Sequence, residues 1–188
     1  LRMSRGLGDV YKRQAKENGI KPIIGCEVYV APRSRLDKVH GIDNERFHLV
    51  LLCKNNTGYE NLIKIVSESW VTGFYTKPRV DKQLLEKYHE GLIALSACLA
   101  GEIPRKLLQD DYDGAKEAAL WYDKTFGRGN YYLEIQNHGI AEQLRVLPQI
   151  VKISRETGIP LVATNDVHYI KKENAKVQKV LILSLIHI

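Results

Sequence analysis

Five short apolar runs, each fenced by turn-forming residues and separated by longer amphipathic stretches, restrict the folds open to this 188-residue chain more than any other feature. The runs cover residues 22–30, 48–54, 92–97, 131–136 and 160–165, and their β-branched and aromatic content predicts strands. Between them, helical spacing predicts helices over 59–71, 81–87, 103–109, 112–126 and 141–157. In the last of these, Leu144, Leu147, Val151 and Ser154 form the face expected to pack, Gly158 ends the helix and Pro160 follows. Strands alternating with helices predict an α/β fold with a largely parallel sheet. Runs such as Ile23-Ile24 and Leu49-Val50-Leu51-Leu52 read as strands buried on both faces, which suits a barrel or a doubly wound sheet. Residues 31–47 are polar and punctuated by Pro and Gly, so they read as a surface excursion within one domain.

The two ends carry a different signal. Asp9-Val10-Tyr11-Lys12-Arg13-Gln14 is what GATGTGTATAAGAGACAG would encode, and Leu183-Ser184-Leu185-Ile186-His187-Ile188 is what its reverse complement, CTGTCTCTTATACACATC, would encode, with the codons chosen among synonyms. One inverted DNA element at both ends resembles a sequencing-library transposon end read through in frame. Residues 1–14 and 183–188 are therefore expected to be non-native, and 15–182 to form the domain, truncated relative to the native protein. No helix is assigned to residues 1–14. Arg2, Arg5, Lys12 and Arg13 against Asp9 give that leader a net +3, half of the formal +6. What remains is too little to argue nucleic-acid binding from net charge. With 44% hydrophobic and 27% charged residues the chain reads as globular. No apolar run reaches the length of about 18 residues that a membrane span needs. Cys26, Cys53 and Cys98 lie far apart without a disulfide framework or a secretory leader, which points to a reducing compartment and the cytoplasm.

Chemistry concentrates at the ends of the runs. The fifth closes in Asp166-Val167-His168, and residues two apart on a strand share a side, so the carboxylate and the imidazole are expected to converge on one ion. Other runs bring Glu27 within Gly25-Cys26-Glu27-Val28-Tyr29, His48 after Phe47, and Cys98 after Leu95-Ser96-Ala97. In α/β barrels, ligand sites gather where successive strands end. Imidazole, carboxylate and thiolate together suit Zn²⁺, while the carboxylates would also take Mn²⁺ or Mg²⁺. A cluster of this kind can polarise a phosphate and activate water for phosphoester hydrolysis. Each residue also has a bland reading: Glu27 in a surface ion pair, His48 as a satisfied structural histidine, Cys98 as a small buried hydrophobe, Asp166 and His168 as the start of a loop.

The stretch from Ala15 to Pro32, Phe47-His48-Leu49-Val50-Leu51-Leu52-Cys53, Gly73-Phe74-Tyr75-Thr76-Lys77-Pro78-Arg79, Leu95-Ser96-Ala97-Cys98-Leu99-Ala100-Gly101-Glu102 and Ala163-Thr164-Asn165-Asp166-Val167-His168-Tyr169 follow one another in a familiar order. Over residues 15–182 the chain resembles the PHP (polymerase and histidinol phosphatase) domain of bacterial DNA polymerase III alpha subunits. The resemblance implies a distorted (β/α)₇ TIM-like barrel of PHP type. That barrel would be incomplete at its N-terminus, because the family's opening His-x-His strand and its Thr-Asp-His-Gly segment fall before the chain begins. By residue match, Glu27, His48, Cys98, Asp166 and His168 would be metal ligands, with Asp166, His168 and Glu27 carrying catalysis. Also implied are a parent DNA-directed DNA polymerase acting in replication, metal-dependent 3′–5′ exonuclease or phosphoesterase activity in this domain, and divalent ions, Zn²⁺ first. The partners implied are primer–template DNA, the sliding clamp and the proofreading exonuclease. Two other readings compete: a non-catalytic scaffold in which the ion ties the barrel together and the surface docks the polymerase core, and a stand-alone phosphatase of the same superfamily.

Several residues sit outside that set. The loop 72–79 interleaves aromatics with Lys77 and Arg79, which can stack bases and meet phosphates, or can be plain surface. His138, at the end of the fourth run, is read as a group supporting the site or touching substrate, or as an exposed loop histidine. Cys26 and Cys53 are assigned to packing, Arg33 and Arg35 to soluble surface, and Lys171-Lys172-Glu173 to a solvated helix start.

Overall fold

The computed structural model describes residues 7–186; residues 1–6 and 187–188, parts of the expected leader and tail, lie outside the described residues. All five strands form: β1 (Gly25–Val30), β2 (Phe47–Cys53), β3 (Leu92–Leu95), β4 (Tyr131–Ile135) and β5 (Leu161–Ala163). They make one sheet in sequence order. An order without reversal has no topological switch point, which rules out the doubly wound alternative. The sheet is mixed rather than largely parallel. β1 and β2 pair antiparallel, as do β2 and β3, whereas β3–β4 and β4–β5 are parallel. Parallel neighbours need a long crossover, and no helix intervenes between β1 and β2, so the chain turns back through residues 31–46 and pairs antiparallel.

The expected helices form within three residues of their predicted bounds: α2 (Asn56–Val71), α3 (Lys82–Tyr88), α4 (Glu102–Leu108), α5 (Tyr112–Phe126) and α6 (Ala141–Thr157). Their starts are capped by Asn55, Asp81 and Asp111, whose side chains accept from the amides of Gly58, Leu84 and Gly114. Gly158 ends α6 in the left-handed region at φ 73. Two more helices flank this set. α1 (Leu7–Glu17) covers residues that received no helix from the sequence, and α7 (Ala175–Ile186) follows the 3₁₀ turn Lys172–Asn174, in line with a solvated helix start there.

The packing face of α6 differs from the expected one. Gln143, Val146, Ile150 and Ile153 are buried, while Leu144 is 53% exposed. Apolar residues occupy two adjacent stripes of this helix, and the sheet takes the stripe that begins with polar Gln143 because that amide finds partners at His138.

The sheet is two-faced. Val28, Leu49, Leu51, Leu92, Ala94, Tyr131 and Leu133 lie in the core with the helices, and Cys26 and Cys53 pack against it as expected. The alternate positions face the other way. Tyr29 pairs with His48, Glu27 with Val50, Val50 with Leu95, and Leu95 with Tyr132, so these side chains share the face opposite the helices. They are only partly covered, and β5 is largely exposed. Burial on both faces, expected from the apolar runs, therefore does not hold. Ile23 is 66% exposed.

The excursion after β1 is tied down by charge. Arg33 pairs with Asp43 at 2.7 Å, and Arg35 with Asp81 at 3.0 Å. Arg33 stays exposed as expected and Arg35 is partly buried; each pairs with a carboxylate that holds the loop.

Candidate metal centre

The open face of the sheet brings Glu27 and His48 together. Neighbouring antiparallel strands set Tyr29 opposite His48, which puts Glu27 one diagonal step away on the same side. Glu27 Oε1 lies 3.2 Å from His48 Nδ1. Backbone pairing delivers the third group: the His48 amide donates to the Ala100 carbonyl at 3.0 Å, laying the loop after β3 beside β2. Cys98 Sγ on that loop stands 3.8 Å from the same His48 nitrogen.

That loop is tight. The Gly101 amide donates to the Cys98 carbonyl at 2.8 Å, and a Cβ at Gly101 would collide with the Ser96 carbonyl oxygen. Ala97, just before Cys98, holds φ 62, a left-handed conformation that costs a residue with a Cβ about 1 kcal/mol. Hydrogen bonds to Cys98 and Glu27, reinforced by the Glu27 charge, push His48 up to about 9 against the opposing effect of burial. The same bond to His48 draws the Glu27 carboxyl below its ordinary range, with a smaller contribution from His168.

Asp166 and His168 reach the site by a different route from the one expected. β5 ends at Ala163, so both residues lie in the loop beyond it, and strand alternation does not orient them. Asp166 instead adopts φ 46, and the His168 Nδ1–H donates to the Asp166 carbonyl at 2.8 Å. A carbonyl cannot donate, so in the neutral ring Nε2 carries the lone pair, the orientation that ligating histidines adopt. His138 is engaged at both nitrogens: Nδ1 accepts from the Gln143 amide at 3.0 Å and Nε2 donates to the Asn165 carbonyl at 2.8 Å. It braces the residue before Asp166 and has no nitrogen left for an ion. Cys98, His138, Asp166 and His168 line one groove of about 720 Å³.

The donors fit a divalent cation by chemistry: carboxylate, imidazole and thiol meet at one nitrogen, and His168 presents a prepared lone pair. Among the described residues, however, no three His, Cys, Asp or Glu side chains stand in ligating geometry about a single point. Closing on an ion would require Glu27, His48 and Cys98 to exchange contacts with one another for contacts with it.

Two weaker assignments separate. Lys77 is exposed on its loop. Arg79 is fully buried and donates to the carbonyls of Gly73, Asp43, Arg35 and Asp37, at 2.7 to 3.2 Å. With its donors consumed inside the protein it cannot meet a phosphate. The sequence could not distinguish this, because three of the four carbonyls it satisfies belong to a loop some 40 residues away in the chain.

One carboxylate of this region escaped the sequence reading. Glu134 sits mid-strand between Leu133 and Ile135, and it is buried, at 6% exposure. A charged residue inside an apolar strand was the available signal.

The PHP domain model matches residues 6–138, which spans Glu27, His48, Cys98 and His138. The chain belongs to the PHP domain family. It is 48% identical over 173 residues to the DNA polymerase III subunit alpha of Borreliella burgdorferi, covering 92% of this chain and 15% of that protein. It is 46% identical over 179 residues to the subunit of the same name from Thermus aquaticus, covering 94% of this chain and 14% of that one. The chain thus spans about one seventh of the length of these relatives. Among the described residues no helix is long and apolar enough to cross a membrane.

Proposed function

We propose that this chain is the PHP metal centre of a DNA polymerase III alpha subunit and that the centre hydrolyses phosphodiesters at DNA 3′ ends. The observation that carries the reading is that Glu27 and Cys98, from different segments, both meet His48 Nδ1 on the open sheet face. Those three, joined by Asp166 and His168 from the loop after β5, would hold the ion, with Zn²⁺ favoured over Mn²⁺ or Mg²⁺ by the imidazole and thiolate. When bound, the cation supplies Lewis acidity to a phosphate ester. Glu27 and Asp166 bring the negative charge it requires, His168 offers Nε2, and His138 keeps the Asp166 loop in place. Exposed Lys77 is the remaining candidate for a phosphate contact. The full protein in this reading is a cytoplasmic DNA-directed DNA polymerase working on primer–template DNA with a sliding clamp and a proofreading exonuclease. Residues 15–182 would be its PHP portion, an arc of a (β/α)₇ barrel.

The test is release of 3′ nucleotides from a labelled primer by the Zn²⁺- or Mn²⁺-loaded chain. Activity that Asp166→Asn and His168→Ala abolish, with the circular dichroism spectrum unchanged, supports hydrolysis. A folded, metallated and inactive chain favours the second reading, a scaffold whose ion is structural. What speaks for that reading is that the nearest donors engage one another rather than a common centre.

A further inference from the structure

Glu134 lies beside the proposed metal centre but belongs to no assigned ligand set. On β4 it is two residues from Tyr132, which the register aligns with Leu95 and Val50, so it shares the open face with Glu27 and His48. Its carboxylate spans two strand ends. Oε1 accepts from the Thr164 hydroxyl at 2.7 Å, and the Thr164 hydroxyl in turn accepts from the Gln136 amide at 3.0 Å. The Ala97 amide lies near the carboxylate and favours its charged form. Its own backbone amide donates to Ser96 Oγ at 2.8 Å. Thr164 is two residues before Asp166, and Ala97 immediately precedes Cys98. The residues on both sides of this clamp, Ala97 and Asp166, hold left-handed backbone at φ 62 and 46. Strained backbone of that kind persists only where its surroundings over-determine it.

The other oxygen is unexplained by folding alone. Oε2 is buried and has no hydrogen-bond partner. A buried carboxylate oxygen without a partner is costly to leave unsatisfied. Burial pushes the Glu134 carboxyl up, and the nearby charges of Asp166 and Glu27 add to the rise, which places each of those acids within electrostatic reach of Glu134. A divalent cation would relieve that repulsion.

We propose that Glu134 is a further carboxylate of this metal centre: Oε1 positions the loop that carries Asp166, the backbone amide holds the Ser96 end of the loop that carries Cys98, and Oε2 is a negative donor to the cation. This rests on the metal-centre reading above, and it adds a third acid that the family resemblance does not supply.

Zn²⁺ and Co²⁺ titrations of the whole chain by calorimetry test it. Glu134→Gln keeps the size and the Thr164 bond but removes the charge, so the expectation is unchanged metal-free folding with affinity lowered 10- to 100-fold, the range seen when groups supporting metal ligands are lost. The Co²⁺ absorption bands should also shift. Equal affinity and identical Co²⁺ spectra in wild type and Glu134→Gln overturn the inference and leave the metal centre standing. A folded wild type that binds neither ion overturns the metal centre and this inference with it. Should Glu134→Gln not fold, Thr164→Val frees Oε1 while keeping the carboxylate; a several-fold loss of Zn²⁺ affinity supports the positioning role, and none refutes it.

Discussion

At His48 a single ring nitrogen faces a carboxylate and a thiol, and this fixes how the metal-free protein responds to pH. Its folded value is about 9 against an ordinary 6.5. Because the folded value is raised, the stabilisation is complete below 6.5, declines as pH rises between 6.5 and 9, and is gone above about 9. A shift of this size corresponds to at most about 3 kcal/mol, and to less where solvent screens the partly exposed Glu27. Melting curves in chelator from pH 6 to 10 should show that alkaline loss in wild type and a much flatter profile when Cys98→Ala and Glu27→Gln are combined; parallel curves would refute the coupling. At this scale the sequence made Glu27, His48 and Cys98 legible, since each stands out as a metal-competent residue at a strand. It left Arg79 and Glu134 illegible. Whether an arginine meets a phosphate or four backbone carbonyls depends on what folds over it.

Among the elements, the helices α2 to α6 were legible from their helical spacing, and local stops and caps such as Gly158, Asp81 and Asp111 agree with it at several ends. The face of α6 was not. Two apolar stripes compete on it, and only the sheet beneath chooses. The short loop between β3 and α4 matters most for the site, because it aligns Cys98 with His48 through the Ala100 carbonyl. Gly101→Ala would press a methyl against the Ser96 carbonyl, a backbone atom that cannot swing aside. The expected cost is about 1–3 kcal/mol in urea unfolding, as for other overpacking changes. Zn²⁺ affinity should fall with it. A variant with lowered stability but wild-type Zn²⁺ affinity would show that the loop does not set the Cys98 position.

For the molecule as a whole, the sheet separates a core covered by helices from a face that carries polar chemistry. The donors on that face come from β1, β2, the loop after β3 and the loop after β5, so an ion bound there would link segments about 140 residues apart in the chain. Such linkage makes metal binding a stability effect. At one hundred times the dissociation constant a bound ion adds about 2.7 kcal/mol, which for a chain of this size raises the melting temperature by roughly 5–10 °C. Differential scanning calorimetry with Zn²⁺ and then EDTA should show that gain and its reversal. A melting temperature indifferent to both would count against an ion shared by these segments.

The sequence by itself determined the five strands, the five helices between them and the family resemblance, because each rests on local patterning or on residue identity. The mixed pairing, the exposed face and the route by which Asp166 and His168 arrive were decided only in three dimensions. Strand direction depends on how the chain returns to the sheet, since β2 and β3 pair antiparallel although α2 and α3 lie between them, and burial depends on what lies across the sheet. The Asp166–His168 pair shows the division well. Its residue types announced metal chemistry, yet β5 stops at Ala163, and a left-handed turn with a hydrogen bond to the Asp166 carbonyl, not strand alternation, aims the imidazole.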